Sequence, residues 1–325
     1  MQGKDFVGVA DLGGSRLVSV LERAERLKHD RQIGRSHAVL AGCVVALVFQ
    51  KPSLRTRVSF DVGMGELGGR ALYLAPAEVG LGERESTPDV ARVLSRMVDG
   101  IVARTFAHQD VEMLARHATV PVVNALSDLE HPCQTVADLQ TIAEHAGRLQ
   151  GVTAAYVGDG NNVAHSLMLA APRVGLNLRV ATPPEYRPAA EIASQAEALA
   201  EEASTELQIG DDPFSAVQGA DFVYTDTRYS MGQEDEAAKR RPVFKPYQVN
   251  AELLRAAGPG VKVLHCLPAH RGDEITDEVL DGSASVVYDQ AENRLHAQKA
   301  LLVELLRRPC GAVGMQGPHG RAVGE

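Results

Sequence analysis

From Cys43 onward, short apolar runs alternate with segments of helical patterning, and that alternation leaves few folds open. Cys43–Phe49 is apolar throughout, rich in valine and too short for a helix, so it reads as a strand buried on both faces. After it comes Gln50-Lys51-Pro52-Ser53-Leu54-Arg55-Thr56-Arg57, in which Ser53 is placed to cap a helix that stops at Gly68-Gly69. The pattern repeats with strands at Ala71–Leu74, Gly100–Arg104 and Val120–Asn124, helices at Pro88–Val98 and Gln109–His117, and a polar, glycine-bearing loop from Gly80 to Thr87. A helix after His131-Pro132 ends near Gly147. A second alternating unit opens at Gly151, with strands expected at Val152–Val157, Leu178–Ala181, Leu207–Ile209, Asp221–Thr225, Val261–His265 and Ser285–Tyr288. An amphipathic helix, Ser15–His29, precedes the series, the Ala-rich segment Ala189–Ser204 lies within it, and a helix at Asn293–Arg307 closes it. Such a chain is expected to be α/β, with two domains, each a mostly parallel sheet flanked by helices, and with ligands in the interdomain cleft at the carboxyl ends of the strands.

Composition excludes several classes. The 325 residues carry a formal net charge of −9, which disfavours a general nucleic-acid or acidic-membrane surface. Cys43, Cys133, Cys266 and Cys310 form no C-x-x-C pair, which argues against a zinc site or a disulfide scaffold and fits a reducing compartment. The N-terminal residues lack the apolar core of a signal peptide and no run is long enough to span a membrane, so the expected location is cytoplasmic. The tail, 309–325, is glycine-rich without periodicity and is expected to be disordered.

An anion site in an acidic protein must be a local cluster, and the start of the helix after Ser53 offers one. Free N–H groups and the positive dipole end meet Arg55, Thr56 and Arg57, a set suited to a small dianion such as phosphate; the plain alternative is an ordinary capped helix with solvated arginines. Gly158-Asp159-Gly160-Asn161-Asn162 follows a strand and opens a helix, but Val163 stands where a dinucleotide fingerprint needs its third glycine. Asn162 there presents an amide that both donates and accepts. Asp226, followed by Ser230-Met231-Gly232, ends a buried strand and is suited to an ammonium group, unless it is only a turn aspartate. His265-Cys266-Leu267-Pro268 and His131-Pro132-Cys133-Gln134 also sit at strand ends, where a core-lining thiol and a structural histidine are the simpler readings. Arg104 ends a strand and Arg294 begins the last helix.

Together, Ser53-Leu54-Arg55-Thr56-Arg57, His131-Pro132-Cys133-Gln134, Asp226 with Ser230-Met231-Gly232, and His265-Cys266-Leu267-Pro268 resemble the transcarbamylase family, the last two its ornithine branch. The resemblance runs through Gln290-Ala291-Glu292-Asn293-Arg294 and covers nearly the whole chain except the tail. It implies transfer of a carbamoyl group from carbamoyl phosphate to the δ-amine of L-ornithine, without metal or organic cofactor, in a homotrimer or a multiple of trimers. It implies a carbamoyl phosphate-binding domain at 1–147 completed by a helix at about 292–308, and an ornithine-binding domain at 148–291. By resemblance, Ser53, Leu54 (through its backbone), Arg55 and Thr56 cradle the phosphate; Arg104, His131 and Gln134 approach the carbamoyl end, and Arg294 also faces this substrate. The resemblance likewise makes Thr56, Arg104, His131 and Cys266 the catalytic group. Asn162, Asp226, Ser230 and Met231 hold ornithine, while Cys266 and Leu267 line the place where the two substrates meet.

Three positions depart from the family pattern. Leu54 stands where many relatives have threonine, Gly80 where ornithine enzymes often carry a glutamine that reaches a neighbouring subunit's phosphate, and Arg228 where tryptophan is usual. Arg84 is a candidate to replace the glutamine, and Glu234 a candidate partner for Arg228. The competing expectations are a transcarbamylase for putrescine, an N-acylated ornithine or aspartate, and a ligand-binding homologue without turnover; a nicotinamide-dependent dehydrogenase is disfavoured by Val163.

Overall fold

The computed structural model describes residues 5–228 and 236–306. Among the described residues, nine strands form two parallel sheets. In the first, β1 (Val44–Phe49), β2 (Arg70–Leu74), β3 (Gly100–Arg104) and β4 (Val122–Leu126) lie in the order β2-β1-β3-β4. In the second, β5 (Thr153–Val157), β6 (Asn177–Ala181), β7 (Leu207–Gly210), β8 (Phe222–Thr225) and β9 (Lys262–His265) lie in the order β7-β6-β5-β8-β9. Central β1 and β3 are almost wholly buried, as continuous apolar runs between helical layers require, whereas edge strand β2 is half-exposed. Both sheets therefore match the expected α/β architecture.

Two sequence expectations need correction. The last strand of the second unit, expected at Ser285–Tyr288, does not form: Val263 and Ser285 make one isolated bridge, and Val287 already opens the final helix, Val287–Leu306. Two adjacent valines supply too short an apolar run to separate a strand from a helix start. The strand expected at Val120–Asn124 runs instead from Val122 to Leu126, with Phe6 bridging to Val123 along its outer edge. The N-terminal helix, Gly14–Gln32, buries Leu17, Val20, Leu21, Ala24 and Leu27 as its spacing predicts.

The final helix leaves the second sheet but packs on the first. It lies against Gly14–Gln32, Leu54–Glu66 and Pro132–Ala146. Lys299 Nζ meets Glu66 at 2.6 Å, Asn293 donates to Thr141 at 2.9 Å, and Lys28 reaches Asn293 at 2.8 Å. Between the sheets, Pro132–Ala146 packs on Asn162–Ala170. The carboxyl ends of β1, β3, β4, β5, β8 and β9 lead into the segments singled out from sequence, so the topology gathers them at one cleft.

Candidate active site

Ser53 is the N-cap of Leu54–Glu66. Its Oγ accepts from the Thr56 N–H at 3.3 Å and donates to Thr56 Oγ1 at 3.0 Å. Thr56 is fully buried, and its Oγ1 also accepts from Arg294 Nη2 at 2.6 Å. A hydroxyl has two lone pairs and one proton, so Thr56, accepting twice, keeps its proton for a ligand. The Leu54 side chain is 74% exposed, leaving only its first-turn N–H to serve the site.

Around this cap stand Arg55, Arg104 and Arg294, each with a buried Nε that has no partner among the described residues. Burial, then the charges of Arg294 and Arg55, pushes Arg104 down to about 9. Burial, then Arg55, also lowers Arg294; burial lowers Arg55, while Cys266 and Asp226 pull it the other way. Two buried guanidiniums, Arg104 and Arg294, beside the half-buried one of Arg55, all with unmet donors, are stabilised by an anion and by little else. Lys51, itself buried, holds its Nζ 4.5 Å from the Phe106 ring centre beside this cluster.

His131 caps Pro132–Ala146, and its backbone N–H donates to Ser166 Oγ at 2.9 Å, a contact from the second domain's first helix. Ser166 in turn donates to Glu130. Burial, then Arg294, Arg104 and Arg55, holds the imidazole well below its usual value, so it is neutral and offers one donor and one acceptor. Its Nδ1 is buried without a partner among the described residues. Gln134 is fully buried; its Nε2 donates to Asp138 Oδ1 at 2.8 Å, while its Oε1 is unmet. The cluster thus presents donors suited to oxygen and an acceptor suited to N–H.

Across the cleft, Asp226 follows β8 and is buried. Its Oδ2 accepts from Asn161 Nδ2 at 2.8 Å and its Oδ1 from the Cys266 thiol at 2.8 Å. Burial, then Asp226, pushes the Cys266 thiol well above its ordinary value, so it is a protonated donor and a poor nucleophile. Asn161, which sequence reasoning treated only as part of a turn, caps Asn162–Ala170 through its Oδ1 and thereby aims Asp226. Asn162 Nδ2 donates to the Ser127 carbonyl at 2.5 Å, tying the two domains together beside the site. Ser230 and Met231 lie outside the described residues, as does Glu234.

The turn before Asn161 is not a dinucleotide loop. Gly158 supplies a φ of +149°, whereas a Cβ at Gly160 would run into the backbone of Arg187 and Pro188, so the first glycine serves the turn and the second a close backbone crossing. At the end of β9, Leu267 takes φ +56° and its N–H donates to His265 Nδ1 at 2.8 Å. His265 Nε2 pairs with buried Glu274 at 3.1 Å. Asp226, His265 and Cys266 bring possible metal-ligand atoms within 4.8 Å of one another, but both His265 nitrogens are engaged, leaving an incomplete ligand set. Of the departing positions, Arg228 is buried, with its carbonyl accepting from Arg240 at 2.9 Å. Arg84 lies against Gly80, and its Nη1 donates to the Glu78 carbonyl at 3.0 Å, so within one chain it turns back onto its own loop.

Comparison with known proteins agrees with this geometry. Residues 4–144 match the family model described as the carbamoyl-P binding domain of aspartate/ornithine carbamoyltransferase, and residues 150–305 its Asp/Orn binding domain. The chain is 52% identical over 302 residues to an ornithine carbamoyltransferase of Thermococcus kodakarensis, covering 93% of this chain and 96% of that one. It is 51% identical to the anabolic ornithine carbamoyltransferase of Pyrococcus furiosus, with the same coverage. A solved Pyrococcus furiosus structure superposes with a TM-score of 0.91 at 51% identity, covering 94% of this chain and 97% of that one. The structure of the Thermus thermophilus ornithine carbamoyltransferase gives 0.84 at 48% identity, with coverage of 93% and 99%. The chain belongs to the aspartate/ornithine carbamoyltransferase family.

Proposed function

We propose that the protein transfers the carbamoyl group of carbamoyl phosphate to the δ-amine of L-ornithine, giving L-citrulline and phosphate. One observation carries the donor half: Arg55, Arg104 and Arg294 converge with unmet donors, beside the unmet acceptor of Gln134. A carbamoyl phosphate supplies the complement, a dianion, a carbonyl oxygen and an amino group. In this reading Ser53, Leu54, Arg55 and Thr56 hold the phosphate, and Arg104, His131, Gln134 and Arg294 the carbamoyl end. Asn162, Asp226, Ser230 and Met231 take the amino-acid end of ornithine, with Cys266 and Leu267 between the substrates. The corresponding division is a carbamoyl phosphate half at 1–147 plus 292–308 and an ornithine half at 148–291.

The chemistry follows from the arrangement. The δ-amine has a pKa of roughly 10.4, so the reactive neutral form is scarce at neutral pH and the site must select it. Its lone pair attacks the carbamoyl carbon, and the charge that develops on the carbamoyl oxygen meets the Thr56 hydroxyl, the Arg104 guanidinium and the neutral His131 ring. The tetrahedral adduct collapses by breaking the bond to the phosphate oxygen, and the departing phosphate takes the amine's proton. Cys266, a high-pKa thiol held by Asp226, forms no covalent bond to substrate. Much of the acceleration comes from fixing two substrates in one geometry.

Among the described residues no helix is long and apolar enough to cross a membrane, and a cytoplasmic location is part of the proposal. So is assembly as a homotrimer or a multiple of trimers, with no nucleic-acid partner. Purified protein and carbamoyl phosphate, offered ornithine, putrescine, N-acetylornithine and aspartate in parallel, test the acceptor. Ureido product with ornithine is expected. Product from another amine but not ornithine would reassign the acceptor, and product from none would leave a binding homologue without turnover.

A further inference from the structure

Gln134 owes its orientation to a group outside the substrate pocket. Asp138, one turn along the same helix, is fully buried, and its Oδ1 accepts from Gln134 Nε2 at 2.8 Å and from Gln290 Nε2 at 2.7 Å. Its Oδ2 accepts from the Tyr224 hydroxyl at 3.0 Å. Neither amide can turn over. Gln290 Oε1 is held by the His265 N–H at 2.8 Å, which directs its nitrogen at Asp138, and an oxygen that only accepts demands a nitrogen from Gln134 as well. The Gln134 carbonyl oxygen is what remains, buried and unmet.

We infer that Asp138 is a positioning residue which, by accepting from the Gln134 amide nitrogen, turns the Gln134 carbonyl toward the carbamoyl amino group and makes the site reject acyl phosphates that lack an N–H there. The inference rests on the carbamoyl phosphate reading above. Acetyl phosphate has the same dianion and carbonyl oxygen but places a methyl group against the Gln134 oxygen, leaving a buried acceptor unpaired. Burial lifts the Asp138 carboxyl to about 6, still below a working pH near 8, so there it is ionised and can only accept.

What the inference requires at position 138 is an accepting oxygen, and a negative charge is not needed. In Asp138→Asn the side-chain oxygen can occupy the Oδ1 place and accept from both glutamines, while its nitrogen donates to the Tyr224 oxygen. Asp138→Leu removes the acceptor altogether and frees Gln134 to rotate. The readout is the ratio of the inhibition constant of acetyl phosphate to the KM of carbamoyl phosphate, with ornithine as acceptor and folding checked by circular dichroism. The wild type is expected to show a ratio of at least about 10, Asp138→Asn a ratio within about threefold of the wild type, and Asp138→Leu at least a tenfold fall.

A wild-type ratio near one overturns the inference without any variant. So does a collapse in Asp138→Asn, which would mean that the charge matters, or an unchanged ratio in folded Asp138→Leu. Should Asp138→Leu not fold, Asp138→Ala, which also removes the acceptor, is read by the same ratio: a fall of about tenfold is expected, and an unchanged ratio overturns the inference. Absence of ureido product from the wild type would instead sink the underlying activity, so the two failures are distinguishable.

Discussion

Asp226→Asn tests how the cleft divides between its two substrates. Asn161 Nδ2 donates to Asp226 Oδ2, and Asn161 cannot turn over because its Oδ1 caps the N–H groups of Val163 and Ala164. The substituted asparagine must therefore keep its oxygen toward Asn161 and set its nitrogen against Cys266. The loop stays in place while the negative charge is lost. A hydrogen bond to a charged group contributes about 1.5–3 kcal/mol, which corresponds to roughly a 10- to 150-fold rise in KM for ornithine if Asp226 holds its α-ammonium. The KM for carbamoyl phosphate should move by less than about threefold, since its proposed ligands lie across the cleft. Initial rates of ureido formation with each substrate varied in turn give both constants. A second readout comes from the thiol: Asp226 is one of the groups that raise the Cys266 pKa, so the variant should react faster with iodoacetamide at pH 8. An unchanged ornithine KM together with a raised carbamoyl phosphate KM would refute this division of the site.

Thr56→Val keeps the volume but removes the hydroxyl shared by Ser53 and Arg294; turnover should fall on the order of 10²–10³-fold in steady-state assays, and a loss below tenfold would remove Thr56 from the group that meets the oxyanion. Gly160→Ala drives a Cβ into the Arg187–Pro188 backbone and should cost about 1–3 kcal/mol, read as a lowered denaturant midpoint, with no change expected if that loop can move away. Asp138 gives a pH signature. Its folded value of about 6 lies above the ordinary 3.8, so between those limits the folded state binds more protons and this group's contribution to stability is lost as pH rises. Melting curves of the wild type should therefore lose ground to Asp138→Asn between those pH values and run parallel to it above them; parallel curves throughout would mean that the carboxyl is not shifted.

The parts of the fold that were legible in the sequence are those governed by local periodicity. The alternation of valine-rich runs with amphipathic segments places every strand of both sheets to within a few residues, because parallel strands are apolar on both faces and their helices on one. The failure at Ser285–Tyr288 came from a valine pair that begins a helix; the contact with β9 stops at two bonds, Val263 N–H to the Ala284 carbonyl and Val286 N–H to the Val263 carbonyl. The candidate site's arginines were each weak signals in the sequence, since a capped helix start or a surface arginine is common, and only their joint placement with the other motifs pointed to an anion. Asp138, Gln290 and Asn161 were not readable. Gln290 and Asp138 are 152 positions apart, and polar residues within a helix look like solvated ones until the partner helix is known. Asn161 reads as one more turn residue beside Asn162, and only its contact with Asp226 distinguishes the two.

The path of the final helix determines how the protein can be divided. Arg294 and Gln290, which on the proposed reading serve the carbamoyl phosphate side, bond to Thr56 and Asp138 from a segment that the chain reaches only after completing the second sheet. The first half is consequently discontinuous and is not a portable module. A fragment ending at Gly147 would leave uncovered the helix faces on which Ala297, Ala300, Leu301 and Leu302 pack, and would lack one of its three guanidiniums. A split-protein design must therefore keep the last helix with the first fragment, by circular permutation or as a separately supplied peptide. Gene fusions or truncations that disturb the helix would silence the donor half from the opposite end of the sequence.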